Sequence, residues 1–179
     1  MQPQTGHSET IIHRISGEQL LDIFRKEGFY AELSRDIEGD PKVVFKVEGY
    51  RCIALFYDVQ DGAASSLQFS TGFQSKKPLE KVNLWNRTRR FLKAYLDDEG
   101  DMLLELDVDL DGGVTEAHVA EQIKLFRQSL LSCLRFMHDD SHDPGKLQTA
   151  LADNPYYYWV INASPRKMGS MAAAGSASR

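Results

Sequence analysis

The chain switches between two hydrophobic periods, and the switches mark its elements. Near the start the period is helical: Leu20, Ile23 and Phe24 form one apolar stripe. Ser16 and Gln19 have the spacing of a capping box, and Ile15 and Leu20 stand where a hydrophobic staple closes. Gly28 is placed for the left-handed residue that ends such a helix. From 29 to 73 the period becomes two. Ala31 and Leu33 alternate with Glu32 and Ser34; Val43, Phe45 and Val47 alternate with Val44, Lys46 and Glu48; Leu67, Phe69 and Thr71 alternate with Ser66, Gln68 and Ser70. Residues 51–57 are apolar on both faces, which suits a central strand. The separators, Glu38-Gly39-Asp40-Pro41, Gly49 and Asp61-Gly62, are turn chemistry, so four antiparallel strands in a meander are predicted.

A second helix carries Pro78 in its first turn, points Leu79, Val82 and Trp85 inward, and stops near Arg90 or Phe91. A hairpin follows: residues 91–96, a turn at Asp98-Glu99-Gly100-Asp101, and a return strand over 102–110. That strand sets Met102, Leu104, Leu106, Val108 and Leu110 on one face and Glu105, Asp107 and Asp109 on the other. Gly112-Gly113 breaks the strand and Thr115 caps a third helix of about 22 residues with Val119, Ile123, Phe126, Leu130, Cys133 or Leu134, and Met137 at helical steps. The order α-β-β-β-β-α-β-β-α predicts an α+β fold, an antiparallel sheet with helices packed on it. The third helix has more apolar stripe than a small sheet covers, so a homodimer through Val119, Ile123, Phe126 and Leu130 is predicted.

The same patterns divide the chain. Residues 1–10 read as a flexible tail, 11–137 as the α+β domain, and 138–179 as an extension whose Ala-, Gly- and Ser-rich end is predicted to be disordered. Within the extension, 156–161 gathers three tyrosines, Trp159, a valine and an isoleucine. Their combined burial predicts that this segment docks in extended form on its own domain or a dimer mate.

Charge narrows the partners. In 179 residues, 21 Lys and Arg stand against 26 Asp and Glu, a net of −5, which disfavours binding to nucleic-acid backbones. The distribution is uneven: Arg87, Arg89, Arg90 and Lys93 cluster without an acid, and residues 97–111 hold eight acids and no base. A basic helix end facing an acidic strand pair accounts for part of this, and recognition of a charged partner for the rest. The candidate partner-binding residues are therefore Trp85, Arg87, Arg89 and Arg90, with Tyr157 and Trp159 from the aromatic run.

Candidate chemistry is sparse. Asp107-x-Asp109-x-Asp111-Gly112 matches the first half of a calcium loop, but His118 stands where the bidentate Glu belongs, and the aspartates alternate with Leu106, Val108 and Leu110 as a strand does. His138 and His142 have ligand spacing in a segment without a fixing scaffold, so no metal and no cofactor are expected. Cys52 and Cys133 lie in apolar patterns with no neighbouring His, which predicts reduced, buried thiols rather than nucleophiles or a disulfide. No apolar run reaches the ~20 residues of a membrane span, and the first residues lack the apolar core of an export signal, so a cytoplasmic location is expected.

The runs Leu84-Trp85-Asn86-Arg87-Thr88-Arg89-Arg90-Phe91, Ala94-Tyr95-Leu96-Asp97-Asp98-Glu99-Gly100-Asp101 and Leu104-Glu105-Leu106-Asp107-Val108-Asp109-Leu110-x-Gly112-Gly113-Val114-Thr115 resemble the YbjN family. Its members are described as bacterial sensory transduction regulators. The upstream Glu27-Gly28-Phe29 and Ser65-Ser66-Leu67-Gln68-Phe69 are similar too, so the likeness spans about 11–137. The resemblance implies a fold like that of type III secretion chaperones and brings no catalytic residues. The expected function is a non-enzymatic module holding a protein or peptide partner, with a small-molecule sensor or a small enzyme as alternatives.

Overall fold

The computed structural model describes residues 10–74 and 77–139. The first nine residues and everything after Asp139, including the aromatic run and His142, lie outside the described residues.

Two short strands open the chain, β1 (Ile11–Ile12) and β2 (Ile15–Ser16), followed by helix α1 (Gly17–Lys26). The capping box forms as the spacing predicts: Gln19 N donates to Ser16 Oγ at 3.3 Å and Ser16 N to Gln19 Oε1 at 2.9 Å. At the other end Gly28 sits at φ 80°, where Gly28 N donates to Arg25 O and Phe29 N to Phe24 O. This Schellman pairing satisfies two of the helix's last carbonyls.

Strands β3 (Ala31–Arg35), β4 (Pro41–Val47), β5 (Tyr50–Gln60) and β6 (Ala63–Phe73) form the expected meander. Helix α2 (Leu79–Thr88) leads to the hairpin of β7 (Lys93–Leu96) and β8 (Met102–Asp109), then β9 (Val114–Thr115) and α3 (Glu116–His138). The main sheet runs β3-β4-β5-β6-β8-β7, antiparallel throughout, with β2 joined to the start of β6. β1 pairs with β9 in a separate ribbon that brings Gly113 to φ 82° beside His13 and Ile11, where a Cβ would come within 2.7 Å of both.

The inward face of the sheet and the helices enclose the core. Phe24, Phe45, Phe69 and Phe126 interlock there with ring centroids 4.5–6.2 Å apart. Here the reading of α3 is corrected. Val119, Ile123, Phe126 and Leu130 are 0–1% exposed within this one chain, so they are core and present no surface to a second copy. The stripe is covered by α1, α2 and the sheet together, with Phe126 on Phe45 and Phe69, an arrangement that the lengths of isolated strands did not reveal.

Helix α2 needs a second correction. Pro78 is its N-cap, and the inward residues are Lys81, Val82, Leu84 and Trp85. Leu79, six residues and hence about 120° round the helix from Trp85, is 55% exposed. The buried Lys81 donates its ammonium to Asp139 O at 2.9 Å, closing the C-terminus of α3.

Candidate functional site

Two surfaces stand out, and both are placed by the hairpin β7–β8. The first is the corner between α2 and β7. β7 is an edge strand, and Lys93 and Tyr95 turn their backbone groups toward β8, which leaves those of Leu92 and Ala94 facing outward. The end of α2 occupies them. Trp85 Nε1 donates to Leu92 O at 3.0 Å, Asn86 Nδ2 donates to Ala94 O at 2.7 Å, and Ala94 N donates to Asn86 Oδ1 at 2.9 Å. Asn86 thus acts as a one-residue surrogate strand, and the edge is not open for another chain to pair with. Trp85 is 1% exposed, so it is a core residue and not the partner-binding side chain that the sequence predicted.

Between the helix and the strand the chain makes a three-residue turn. Leu92 N donates to Arg90 O at 3.0 Å, and the central residue, Phe91, has φ 74°. This is the strained form of the γ-turn, at a bulky residue that disfavours positive φ by about 1–3 kcal/mol. Burial does not offset the cost, since Phe91 is 61% exposed. The predicted strand start at Phe91 is therefore replaced by a turn that displays its ring.

One arginine lies over that ring, and a second lies over the aromatic pair behind it. Arg90 Cζ lies 5.1 Å from the centroid of Phe91, and Arg89 Cζ lies 5.9 Å from those of Trp85 and Phe136. Arg87, Arg89 and Arg90 are exposed, and among the described residues no carboxylate pairs with any of them. Lys93 differs. Its ammonium reaches Asp107 at 2.8 Å and Glu105 at 3.9 Å, and the hydrogen bond to Asp107 raises its pKa. The expected pairing of basic cluster with acidic strand thus holds for Lys93 alone.

The second surface is the outward face of the sheet. Apart from Ala64 and Ser70 on β6, the buried positions of the main-sheet strands share one face, and among the described residues no helix covers the other. Val44, Ile53, Leu55 and Leu103 are half-buried there, Tyr57 is 46% exposed and Tyr95 39%. Lys42, Lys46 and Arg51 occupy the β4–β5 side; Glu105, Asp107 and Asp109 occupy β8. Tyr95 donates to Glu105 at 2.6 Å, and this bond, helped by burial and the Glu105 charge, pushes its pKa up to about 12. Burial works to raise the pKa of Asp107, but hydrogen bonds from Lys93 and Gln68 outweigh it and hold the carboxyl below its usual value.

The remaining candidates fall into structural roles. Asp109 accepts from Asp111 N within the turn, and Asp107 is engaged by Lys93, so the calcium-like spacing is the wet side of a strand and its exit. Cys52 and Cys133 are free and buried, and burial raises their pKa values to about 11 and about 12, far from thiolate chemistry. His138 is exposed at the end of α3, while His142, Tyr157 and Trp159 are outside the described residues. A cleft of about 390 Å³ at the start of α1 is lined by Gly17, Glu18, Leu33, Ser34, Arg35, Pro41 and Gly62, where the Ser34 hydroxyl has no histidine beside it to act as a base. The residues that sequence reasoning missed are Asn86 and Phe91. Asn86 lay within the Trp-Asn-Arg run, but its role depends on a strand edge eight positions away.

Among the described residues no helix is long and apolar enough to cross a membrane. No curated protein and no solved structure gives a significant match, and the likeness to secretion chaperones stays an implication of the resemblance. The YbjN family model, described as "Putative bacterial sensory transduction regulator", matches residues 16–139, which takes in both surfaces, and the chain belongs to the YbjN family.

Proposed function

We propose that the protein is a non-enzymatic regulatory module of the bacterial cytoplasm that holds a protein or peptide partner. Its contact is the corner from Arg87 to Phe91. The observation that carries this reading is the strained turn: a γ-turn at φ 74° displays an exposed Phe91 under Arg90, next in the chain to Arg87 and Arg89, and among the described residues no carboxylate pairs with these three arginines. Strain of this kind persists where surrounding structure over-determines it, and here Trp85 and Asn86 lock the chain immediately after the turn. The partner that fits is a segment carrying carboxylates beside an apolar side chain, because the guanidiniums supply bidentate donors and the ring an apolar seat.

The test places a photo-crosslinking phenylalanine analogue at position 91 of the full chain and irradiates it in native lysate. The expected product is a protein adduct that disappears when Arg87→Glu and Arg90→Glu are added. A nucleic-acid adduct, a small-molecule adduct, or a protein adduct that persists after the reversal would overturn the reading.

A further inference from the structure

The outward face of the sheet carries a charge arrangement that becomes legible only when the strands are placed in register. One row across it reads Ser34, Lys42, Leu55, Gln68, Asp107. The next reads Glu32, Val44, Ile53, Ser70, Glu105, Lys93. In the order β3-β4-β5-β6-β8-β7 the midline falls between β5 and β6, with β4 and β8 equidistant from it and β3 and β7 equidistant outside them. Lys42 therefore stands opposite Asp107 across the midline, and Glu32 opposite Lys93.

From this juxtaposition we infer that the open sheet face is a self-complementary surface whose occupant is a second copy of the chain. A two-fold axis along the strands at the midline lays β4 over the partner's β8 and β3 over the partner's β7. Lys42 then meets the partner's Asp107, and Glu32 meets the partner's Lys93, each contact occurring twice by symmetry. Ile53 and Leu55 close the centre against the partner's Ser70 and the partner's Gln68. An axis across the strands would instead set like charge over like, so the pattern selects one orientation. Aligned sheets cross at about 30°, which moves β4 by only about 4 Å, within the reach of a lysine. Lys42 has no ion-pair partner among the described residues, which leaves it available.

The area suffices. Strands β4, β5, β6 and β8 are 7, 11, 11 and 8 residues long. With the shorter outer strands β3 and β7 at 5 and 4 residues, the six average about 25 Å in length and present a face of about 29 by 25 Å, so two copies together cover about 1,400 Å², within the range of specific interfaces. The half-buried Val44, Ile53, Leu55 and Leu103 supply its apolar part.

The experiment is sedimentation of the full-length protein at micromolar concentration. The wild type should be a dimer. Lys42→Glu and Asp107→Lys should each weaken it at least tenfold, because each homodimer sets like charges together twice. An equimolar mixture of the two variants should restore a heterodimer, since both contacts are then complementary. Far-UV melting confirms that each variant is folded. If either is not, Leu55→Glu beside the axis serves in its place and should give a folded monomer. A monomeric wild type, a dimer that none of these variants weakens, or variants that weaken singly and fail to pair in the mixture would each overturn the inference.

Discussion

Replacing Asn86 by Ala removes a side chain that is exposed to solvent yet bonded at both ends to the backbone of Ala94, at 2.7 and 2.9 Å. Each part-buried hydrogen bond contributes a net of about 0.5–1.5 kcal/mol, so losing both costs about 1–3 kcal/mol. Water replaces part of the loss, which places the expected change near 2 kcal/mol, a fall in melting temperature of about 5–10 °C for a domain of this size. Asn86→Asp keeps the acceptor for Ala94 N but turns a negative oxygen toward Ala94 O, so it should destabilise at least as much. The local consequence is sharper. Ala94 N faces away from β8, and with Asn86 gone it has no partner, so its amide should exchange at least about tenfold faster while the Lys93 and Tyr95 amides change less. The freed edge should also make the variant self-associate as concentration rises. Hydrogen exchange read by NMR, with thermal melting alongside, measures both effects. Unchanged Ala94 exchange together with an unchanged melting temperature would refute the assignment of Asn86 as the lock on this edge.

Two further outcomes follow from the burial pattern. Phe126→Ala opens a cavity among Phe45 and Phe69, whose ring centroids lie 5.8 Å away, and should cost about 3–5 kcal/mol in urea unfolding; a variant that melts as the wild type does would show that α3 is not core. Cys52, Cys133 and Tyr95 have folded pKa values of about 11, about 12 and about 12, above the ordinary 9.0 and 10.0. The folded state therefore favours their protonated forms, and this contribution is fully present below about pH 9 and lost as pH rises toward 11–12. The urea midpoint should fall over that window, and Cys52→Ala with Cys133→Ala should flatten the fall; an alkaline limb that the double variant leaves unchanged would refute the linkage.

What the sequence made legible was set by short-range geometry. The capping box of Ser16 and Gln19, the left-handed Gly28 and the Thr115 cap, whose Oγ1 accepts from His118 N at 3.1 Å, each join residues at most a few positions apart. The period-two pattern likewise set the inward face of the sheet, because a strand's side chains alternate whatever its neighbours are. The errors came where a decision belonged to the tertiary arrangement. Whether the α3 stripe was covered depended on how α1, α2 and β8, elements far apart along the chain, come together beneath it. Trp85 reads as a partner-binding residue beside Arg87, Arg89 and Arg90, yet Trp85 and Asn86 serve a strand edge, and the turn that brings the edge to them hinges on a positive φ at Phe91, a residue type that does not announce it.

The same limit separates the two surfaces. At the corner, Arg87, Arg89 and Arg90 are sequence neighbours, so their charge could be read directly from the chain, although not that Arg90 would lie over Phe91 and Arg89 over Trp85 and Phe136. On the sheet, Lys42 and Asp107 belong to segments with opposite charge patterns and acquire a relation only through three strand registers. A slip of one residue that turned β4 or β8 over would send Phe45 or Leu106 outward and bury Lys42 or Asp107 in the core, at a cost far beyond that of a surface ion pair. The hydrophobic core therefore determines where these charges stand, and their placement on the open face is as firmly specified as the core itself.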